Sequence, residues 1–381
     1  DELLKAELFE GKEKFNFCKL LAGSEGTLAF TTEIKISLDP LPDPVEIVVA
    51  AHFESIHESM KSAQVAMKHP ATAVELMDKI ILDCTKESIE YSKNRYFVEG
   101  DPKAILMIEF RGKTLEEAMA KGEALVADLK AGGYGYAYPI IEPARVASAW
   151  ALRAAGLGLL GNIPGDPKAV ACIEDTAVDI EDLADYIDEL DEILKGFNQN
   201  PVHYAHAGAG EIHMRPILDL KKAEDVEEFY QISLASAKLV KKYQGSLSGE
   251  HGDGRVRAAF IPLMVGEKNY ELFRRIKYTW DPKNIFNPGK IVDAAPMNKF
   301  LRYEPGMKTP EHDTMIDFSS VGGILRLAEK CNGSGDCRIV AIDRRVRLAA
   351  SGIGGGQDEF EVHAPPVEDP VQPAVEVRNH G

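Results

Sequence analysis

His203-Tyr204-Ala205-His206-Ala207-Gly208-Ala209-Gly210-Glu211-Ile212-His213 carries three histidines, of which His206 and His213 stand seven residues apart across an Ala-Gly repeat. Residues at that spacing face opposite sides of a strand and share a face of a helix, but Gly208, Gly210 and the nearby Pro216 disfavour a helix. The stretch therefore reads as a hairpin, with strands near 202–206 and 211–217 and the reversal at Ala207 to Gly210, so that His206 and His213 converge on one point. A second Gly-flanked stretch, Ser248-Gly249-Glu250-His251-Gly252-Asp253-Gly254, sets a carboxylate beside an imidazole, and its glycines permit a loop that aims both at one centre. His206, His213 and Glu250 would supply two imidazoles and one carboxylate to a divalent cation, a ligand set that suits an open zinc site. His251 is then free to move a proton. Taken singly, each histidine reads as a surface or satisfied core residue, and His203 is an alternative to His206; the cluster with its glycines is what favours a site.

Strands and helices alternate on both sides of the hairpin. Val170 to Val178 reads as a strand, and Ile180 to Leu194 as a helix with Leu183, Ile187, Leu190 and Leu194 on one face and Gly196 stopping it. Ala223 to Tyr243 follows the hairpin as a helix with a core-facing stripe of Val226, Phe229, Tyr230, Ser233, Ala237 and Val240, ended by Gly245. The same order occurs earlier: a strand at Ile47 to Phe53, a helix capped by Ser55, a strand at about 72–77, a strand at Ala104 to Phe110, a helix opened by Thr114 with Glu117 as a capping box, and a strand near 135–141. Strand-helix-strand twice over is a ferredoxin-like order. The fold class is α+β, with two ferredoxin-like antiparallel sheet-and-helix halves. A helix with Trp150 and Arg153 lies between them, followed by a Gly-rich loop, Gly156 to Gly165, that could act as a lid.

The flanks are different in character. Leu20 to Ile34 reads as a Gly-rich turn running into an alternating strand, and Pro40, Pro42 and Pro44 mark a linker. The turn could place backbone N–H groups near a cofactor, although a Gly pair before a strand is most often only a turn. Trp280 to Ile291, with Pro282, Pro288 and Gly289, is a chain reversal that closes the compact part. From about Pro296 apolar periods become few and charges many, little packing is expected, and Pro365-Pro366-Val367-Glu368-Asp369-Pro370 reads as disordered.

With 381 residues and a 45% hydrophobic fraction, the chain is long enough for two or three domains and a well-buried core. A formal charge of −17 speaks against nucleic acid or an anionic membrane as partner, so an anionic substrate must meet locally placed Arg or Lys. No apolar run approaches a membrane span, and Asp1-Glu2 begins no signal peptide, which reads as cytoplasmic. Five cysteines, an odd count, fit a reducing compartment, and only Cys331 and Cys337 are close enough to share a role.

Four motifs occur in a telling order: Gly23-Ser24-Glu25-Gly26-Thr27, His206 to His213, Ser248 to Gly254, and Asn287-Pro288-Gly289-Lys290-Ile291. Together they resemble the FAD-linked oxidases of the vanillyl-alcohol-oxidase type, in the branch of D-lactate and D-2-hydroxyglutarate dehydrogenases and the glycolate oxidase flavoprotein subunit. The resemblance covers roughly residues 1–295. It implies FAD-dependent, metal-assisted oxidation of a D-2-hydroxy acid to a 2-oxo acid, with an unspecified electron acceptor and this chain supplying the substrate and metal site. It implies His206, His213 and Glu250 as metal ligands, His251 as catalytic base, Arg153 and Lys168 as substrate anchors, and Gly23, Ser24, Glu25, Gly26, Thr27 and Asn287 as flavin contacts. It also implies a division into residues 1–44 as the last strands of a FAD-binding domain, 45–222 as the substrate domain, 223–295 as a helical cap completing the site, and 296–381 as a linker and the start of an iron-sulfur domain.

Three departures accompany the resemblance. The family's main dinucleotide cradle precedes the part matched here, so FAD belongs to the parent protein. Cys331-Asn332-Gly333-Ser334-Gly335-Asp336-Cys337-Arg338 looks like the start of the iron-sulfur domain, but nothing after Cys337 is cysteine and a cubane needs about four thiolates, so no cluster is expected. Glu211 stands where Asn is common. Structural readings stay open beside these roles: Arg153 pairing a surface carboxylate, Lys168 solvated on the lid, Gly23 to Thr27 a plain turn, and Asn287 a cap of the reversal. The alternatives in function are D-lactate in place of D-2-hydroxyglutarate, and a non-catalytic scaffold subunit of a flavoprotein complex; a homo-oligomer is left open.

Overall fold

The computed structural model describes residues 16–328, apart from 87, 89, 90, 161, 162 and 164. These residues belong to the first of two compact units, divided between Asn332 and Gly333. Asp1-Glu2, Cys331, Cys337 and the run Pro365 to Pro370 lie outside the described residues.

In chain order the elements are α1 (Phe17–Leu21), β1 (Val45–Phe53), α2 (Ile56–Ala66), β2 (Ala73–Asp78), α3 (Lys79–Cys84), β3 (Ala104–Gly112), α4 (Leu115–Gly132), β4 (Ile140–Ile141) and α5 (Pro143–Leu160). There follow β5 (Lys168–Ala169), β6 (Ile173–Ala177), α6 (Leu183–Gly196), β7 (Val202–His206), β8 (Glu211–Arg215), β9 (Ile217–Leu218), α7 (Ala223–Lys242), α8 (Ile261–Val265), α9 (Glu267–Trp280) and α10 (Ile324–Ala328). Caps set the helix ends: Ser55 Oγ accepts the N–H of Glu58 at 3.1 Å before α2, and Thr114 Oγ1 that of Glu117 at 3.3 Å before α4. Gly133 closes α4 at φ +71°, a conformation that costs glycine nothing.

The strands form one seven-stranded sheet in the order β4-β1-β3-β2-β7-β8-β6, with β5 and β9 pairing separately. β1, β2, β3 and β4 pair antiparallel in the ferredoxin order. The second half repeats it: β7 pairs β8 and β8 pairs β6, and the place of a fourth strand is taken by the isolated bridge Ala177↔Ser246. The two halves join edge to edge where β2 meets β7 at Leu76↔Ala205 and Met77↔Tyr204. β1 lacks polar alternation because both of its faces are covered. Ile47, Val49, Ala51 and Phe53 enter the larger core beneath α2 and α4, and Val48 and Ala50 meet Val146, Ala149 and Leu152 of α5 on the other side. On α6 the predicted stripe of Leu183, Ile187, Leu190 and Leu194 is fully buried, at roughly 1.5–3 kcal/mol for each side chain.

Three expectations change. Residues 28–44 form no strand, and Ile34, Ile36 and Leu38 are 70–75% exposed; a strand exists only when paired, and no neighbour lies beside it among the described residues. The Gly156 to Gly165 lid begins later than predicted, since α5 continues to Leu160 and Gly156 is used for packing: a Cβ there would lie 2.5 Å from Ile81 Cγ2. The segment after Pro296 does pack in its described part. Met297 is buried, Gly306 N–H donates to Lys221 O at 2.7 Å, and Arg326 pairs with Asp166 at 2.5 Å. Those contacts are single and long-range, so apolar periodicity gave no sign of them.

Candidate active site

The hairpin forms as predicted, and its register decides which side chains meet. His206 pairs Glu211 and Tyr204 pairs His213 across β7 and β8. Cross-strand partners share a face, and so do residues two apart on a strand, so His206, Glu211 and His213 project together while Ala205, Ile212 and Met214 enter the core. Gly210 makes the reversal possible: its φ is +70°, and a Cβ there would sit 2.0 Å from Val178 O. His203 faces the other way, with Nε2 2.8 Å from Asp191 Oδ1 and its own N–H donating to Asp78 Oδ2 at 2.7 Å. It is therefore no substitute for His206.

Glu250 and His251 arrive on the loop after α7, which hangs from Asp175. The Asp175 carboxylate accepts the Ser248 hydroxyl, Glu250 N–H at 2.9 Å and His251 N–H at 2.8 Å, and its carbonyl accepts Gly249 N–H at 2.7 Å. Burial opposes charge on Asp175, but hydrogen bonds from Glu211, Ser248 and the loop backbone hold its carboxyl well below the usual range. Its φ of +74°, unusual outside glycine, turns β6 so that the carboxylate reaches the loop.

His206 Nε2 is 3.6 Å from Glu250 Oε1, and His213 Nε2 is 3.6 Å from Glu211 Oε1. The rings of His206 and His213 stand edge to face at 5.3 Å, and His251 stacks on His213 at 5.4 Å. Donor atoms of His206, Glu211, His213 and Glu250 all lie within 4.8 Å of one another. Two donors bound to one cation at about 2.1 Å in a tetrahedron are about 3.4 Å apart, so these separations, too long for hydrogen bonds, fit a shared divalent ion. Glu211 Oε1, buried and without a hydrogen bond, is the kind of acceptor such an ion would satisfy. His251 belongs to two overlapping groups, one with Glu174 and His213 and one with Asp175 and Glu250, and its Nε2 lies 3.3 Å from Glu250 Oε1.

Outer partners orient these groups. His206 Nδ1 is 2.9 Å from a Glu75 carboxylate oxygen, which raises the imidazole's pKa and directs Nε2 to the centre. Glu75 in turn contacts Arg153, whose guanidinium lies over the Tyr204 ring at 4.0 Å. Arg153 meets Glu75 through Nη2, and its buried Nε makes no hydrogen bond, which leaves one donor unused. Arg215 grips Glu174 through Nε at 3.0 Å and Nη2 at 2.5 Å, and Glu174 Oε1 lies 3.6 Å from His213 Nδ1. Burial lowers the His213 pKa, whereas burial and the adjacent Asp175 push Glu211 up to about 8.

The remaining predicted residues divide. Gly23 to Thr27 and Asn287 meet in space: the Glu25 carboxylate accepts Asp253 N–H at 2.6 Å and Gly254 N–H at 3.0 Å, and Asn287 Nδ2 donates to Glu25 O at 2.8 Å. The turn thus holds the far end of the His251 loop. Buried Lys277 fastens it further, donating to Thr27 O at 2.8 Å, Phe286 O at 2.7 Å and Asp281 Oδ2 at 2.6 Å. Gly23, Ser24 and Thr27 also line a cavity of about 600 Å³. Lys168 stands on β5 with its ammonium donating to Ile163 O at 2.7 Å, beside Asp166 and Lys221, and no contact among the described residues joins it to the histidines. Sequence reading missed Glu75, Asp175 and Lys277, whose partners His206, the 248–251 loop and Thr27 are distant in the chain. Glu211 could have been found, because it stands two residues before His213 on a predicted strand.

Residues 43–291 match the family described as FAD linked oxidases, C-terminal domain. The chain is 31% identical over 347 residues to the D-2-hydroxyglutarate dehydrogenase of Pseudomonas putida, a match that covers 87% of this chain and 33% of that protein. It is 33% identical over 347 residues to the protein of that name from Haemophilus influenzae, covering 88% and 33%, and 29% identical over 279 residues to the D-lactate dehydrogenase of Archaeoglobus fulgidus, covering 73% and 58%. The chain spans about a third of the length of these D-2-hydroxyglutarate dehydrogenases. No helix among the described residues is long and apolar enough to cross a membrane. The sheet of two ferredoxin-like halves carries the histidine hairpin, and the match over 43–291 shows that the chain belongs to the FAD linked oxidases through their C-terminal domain.

Proposed function

We propose that this chain supplies the substrate and metal site for FAD-dependent oxidation of a D-2-hydroxy acid to a 2-oxo acid. The observation that carries the reading is the convergence of His206, His213 and Glu250 with the ring of His251 stacked beside them. His206, His213 and Glu250 would hold a divalent ion, supplying Lewis acidity toward the 2-hydroxyl, and FAD, contacted by Gly23 to Thr27 and Asn287, supplies the two-electron acceptor. Arg153, whose buried Nε makes no hydrogen bond, holds the substrate carboxylate. His251 takes the hydroxyl proton, its ring oriented by Glu250 and its backbone by Asp175. Arg215 and Glu174 keep His213 in place, and Glu75 does the same for His206.

Within this class, D-2-hydroxyglutarate is favoured over D-lactate by the relatives, four of which carry that name at 31–33% identity. Lys168 is the proposed second anchor for a dicarboxylate, which requires its ammonium to leave Ile163 O. A scaffold subunit has no use for three imidazoles and two carboxylates around one point. Metal analysis of the purified chain should find close to one divalent ion per chain, and none after His206→Ala with His213→Ala. The FAD-loaded protein, assayed with an artificial electron acceptor, should turn over D-2-hydroxyglutarate faster than D-lactate. A metal-free chain, or a loaded protein inert toward both acids, would sink the reading.

A further inference from the structure

The face that carries His206, His213 and Glu250 also carries Glu211, a second carboxylate that the hairpin register places directly opposite His206. Its side chain is 7% exposed, and Oε1 has no hydrogen-bond partner while lying 3.6 Å from His213 Nε2. The surroundings make room for it: a Cβ on Gly249 would lie 2.6 Å from Glu211 Oε2. We infer that Glu211 is a fourth protein ligand of the metal, completing a set of two imidazoles and two carboxylates. This rests on the metal site proposed above.

The consequence concerns which ion the site takes. Four protein donors saturate a tetrahedral zinc, whereas a six-coordinate ion keeps two positions for the hydroxyl and carboxylate oxygens of a 2-hydroxy acid. Two carboxylates also balance the charge of a dication, and carboxylate donors suit Mn²⁺. Mn²⁺, which accepts six donors of this kind, is therefore the probe ion for the site.

The rival role for Glu211 is a neutral acid that donates a hydrogen bond to Asp175. Glutamine retains that donor but is a poor metal ligand, so Glu211→Gln separates the two. Equilibrium dialysis of the purified chain against Mn²⁺ should give at least a 100-fold loss of affinity in Glu211→Gln, at the top of the roughly 10–100-fold range for losing an outer partner. A change smaller than threefold overturns the inference while leaving the function standing; failure of the unaltered chain to bind Mn²⁺ or Zn²⁺ overturns both. Should the variant not fold, a crystal of the unaltered chain soaked in Mn²⁺ decides the matter. A Glu211 oxygen within bonding distance of the anomalous peak supports the assignment, and a Glu211 carboxylate turned to Asp175 away from the peak overturns it.

Discussion

The carboxylate of Asp175 accepts the backbone N–H of His251, 76 positions further along the chain, at 2.8 Å. That bond, with those to Ser248 and Glu250, makes one β6 side chain the support of the loop that bears both a proposed metal ligand and the proposed base. Asparagine offers one acceptor oxygen in place of two. Asp175→Asn should therefore destabilise the chain by about 1–3 kcal/mol and lower kcat of the loaded protein more than it raises KM. Denaturant unfolding and steady-state kinetics check this; unchanged kcat would remove the positioning role.

His251→Asn keeps a polar side chain and removes the proton acceptor. Turnover should fall by about 10²–10⁴-fold while substrate binding, measured by equilibrium titration, changes little. Equal losses in both would count against a role in proton transfer.

Glu75 is the acid that holds His206 from behind. In Glu75→Gln the orientation of the imidazole is lost along with the charge beside Arg153, and divalent-metal affinity should drop by about 10–100-fold. Isothermal titration with Mn²⁺ measures it, and an unaltered affinity would show that the contact is incidental.

How much of this was readable beforehand depended on distance along the chain. The hairpin, with His206, His213 and their turn glycines inside a dozen residues, was legible because strand period and turn chemistry are local. The stripe on α6 and the caps at Ser55 and Thr114 were legible for the same reason. Glu75, Asp175 and Lys277 were not, because a carboxylate or ammonium carries no sign of the partner that tertiary structure brings to it. Strand formation at 28–34 was misread since alternation describes a face without supplying a neighbour to pair with. The packing of Met297 and Gly306 escaped notice because it uses single contacts in place of a repeating pattern.

His203 gives a pH signature for stability separate from the site. Burial opposes its charge, but Asp191 and Asp78 outweigh it and raise the imidazole from 6.5 to about 9. A folded pKa above the unfolded one stabilises fully below pH 6.5, and the contribution, on the order of 3 kcal/mol, is lost as pH rises through about 9. Chemical denaturation at several pH values should show stability falling across that window and a shallower fall in Asp191→Asn. A flat profile in the unaltered chain would contradict the pairing.

Where β2 meets β7, only Leu76↔Ala205 and Met77↔Tyr204 pair, yet Glu75 lies at one side of that junction and His206 at the other. The halves are held by more than that pairing: one buried apolar layer runs from Ile47 and Leu106 to Ile187 and Ile212, and His57 Nδ1 of α2 lies 2.7 Å from Asp188 Oδ2 of α6. The proposed metal site spans the same seam, because the imidazole and its supporting acid belong to different halves. A substitution that loosens the shared layer should therefore disturb the proposed site at a distance, and amide exchange at Met77 and Tyr204 reports whether the seam opens.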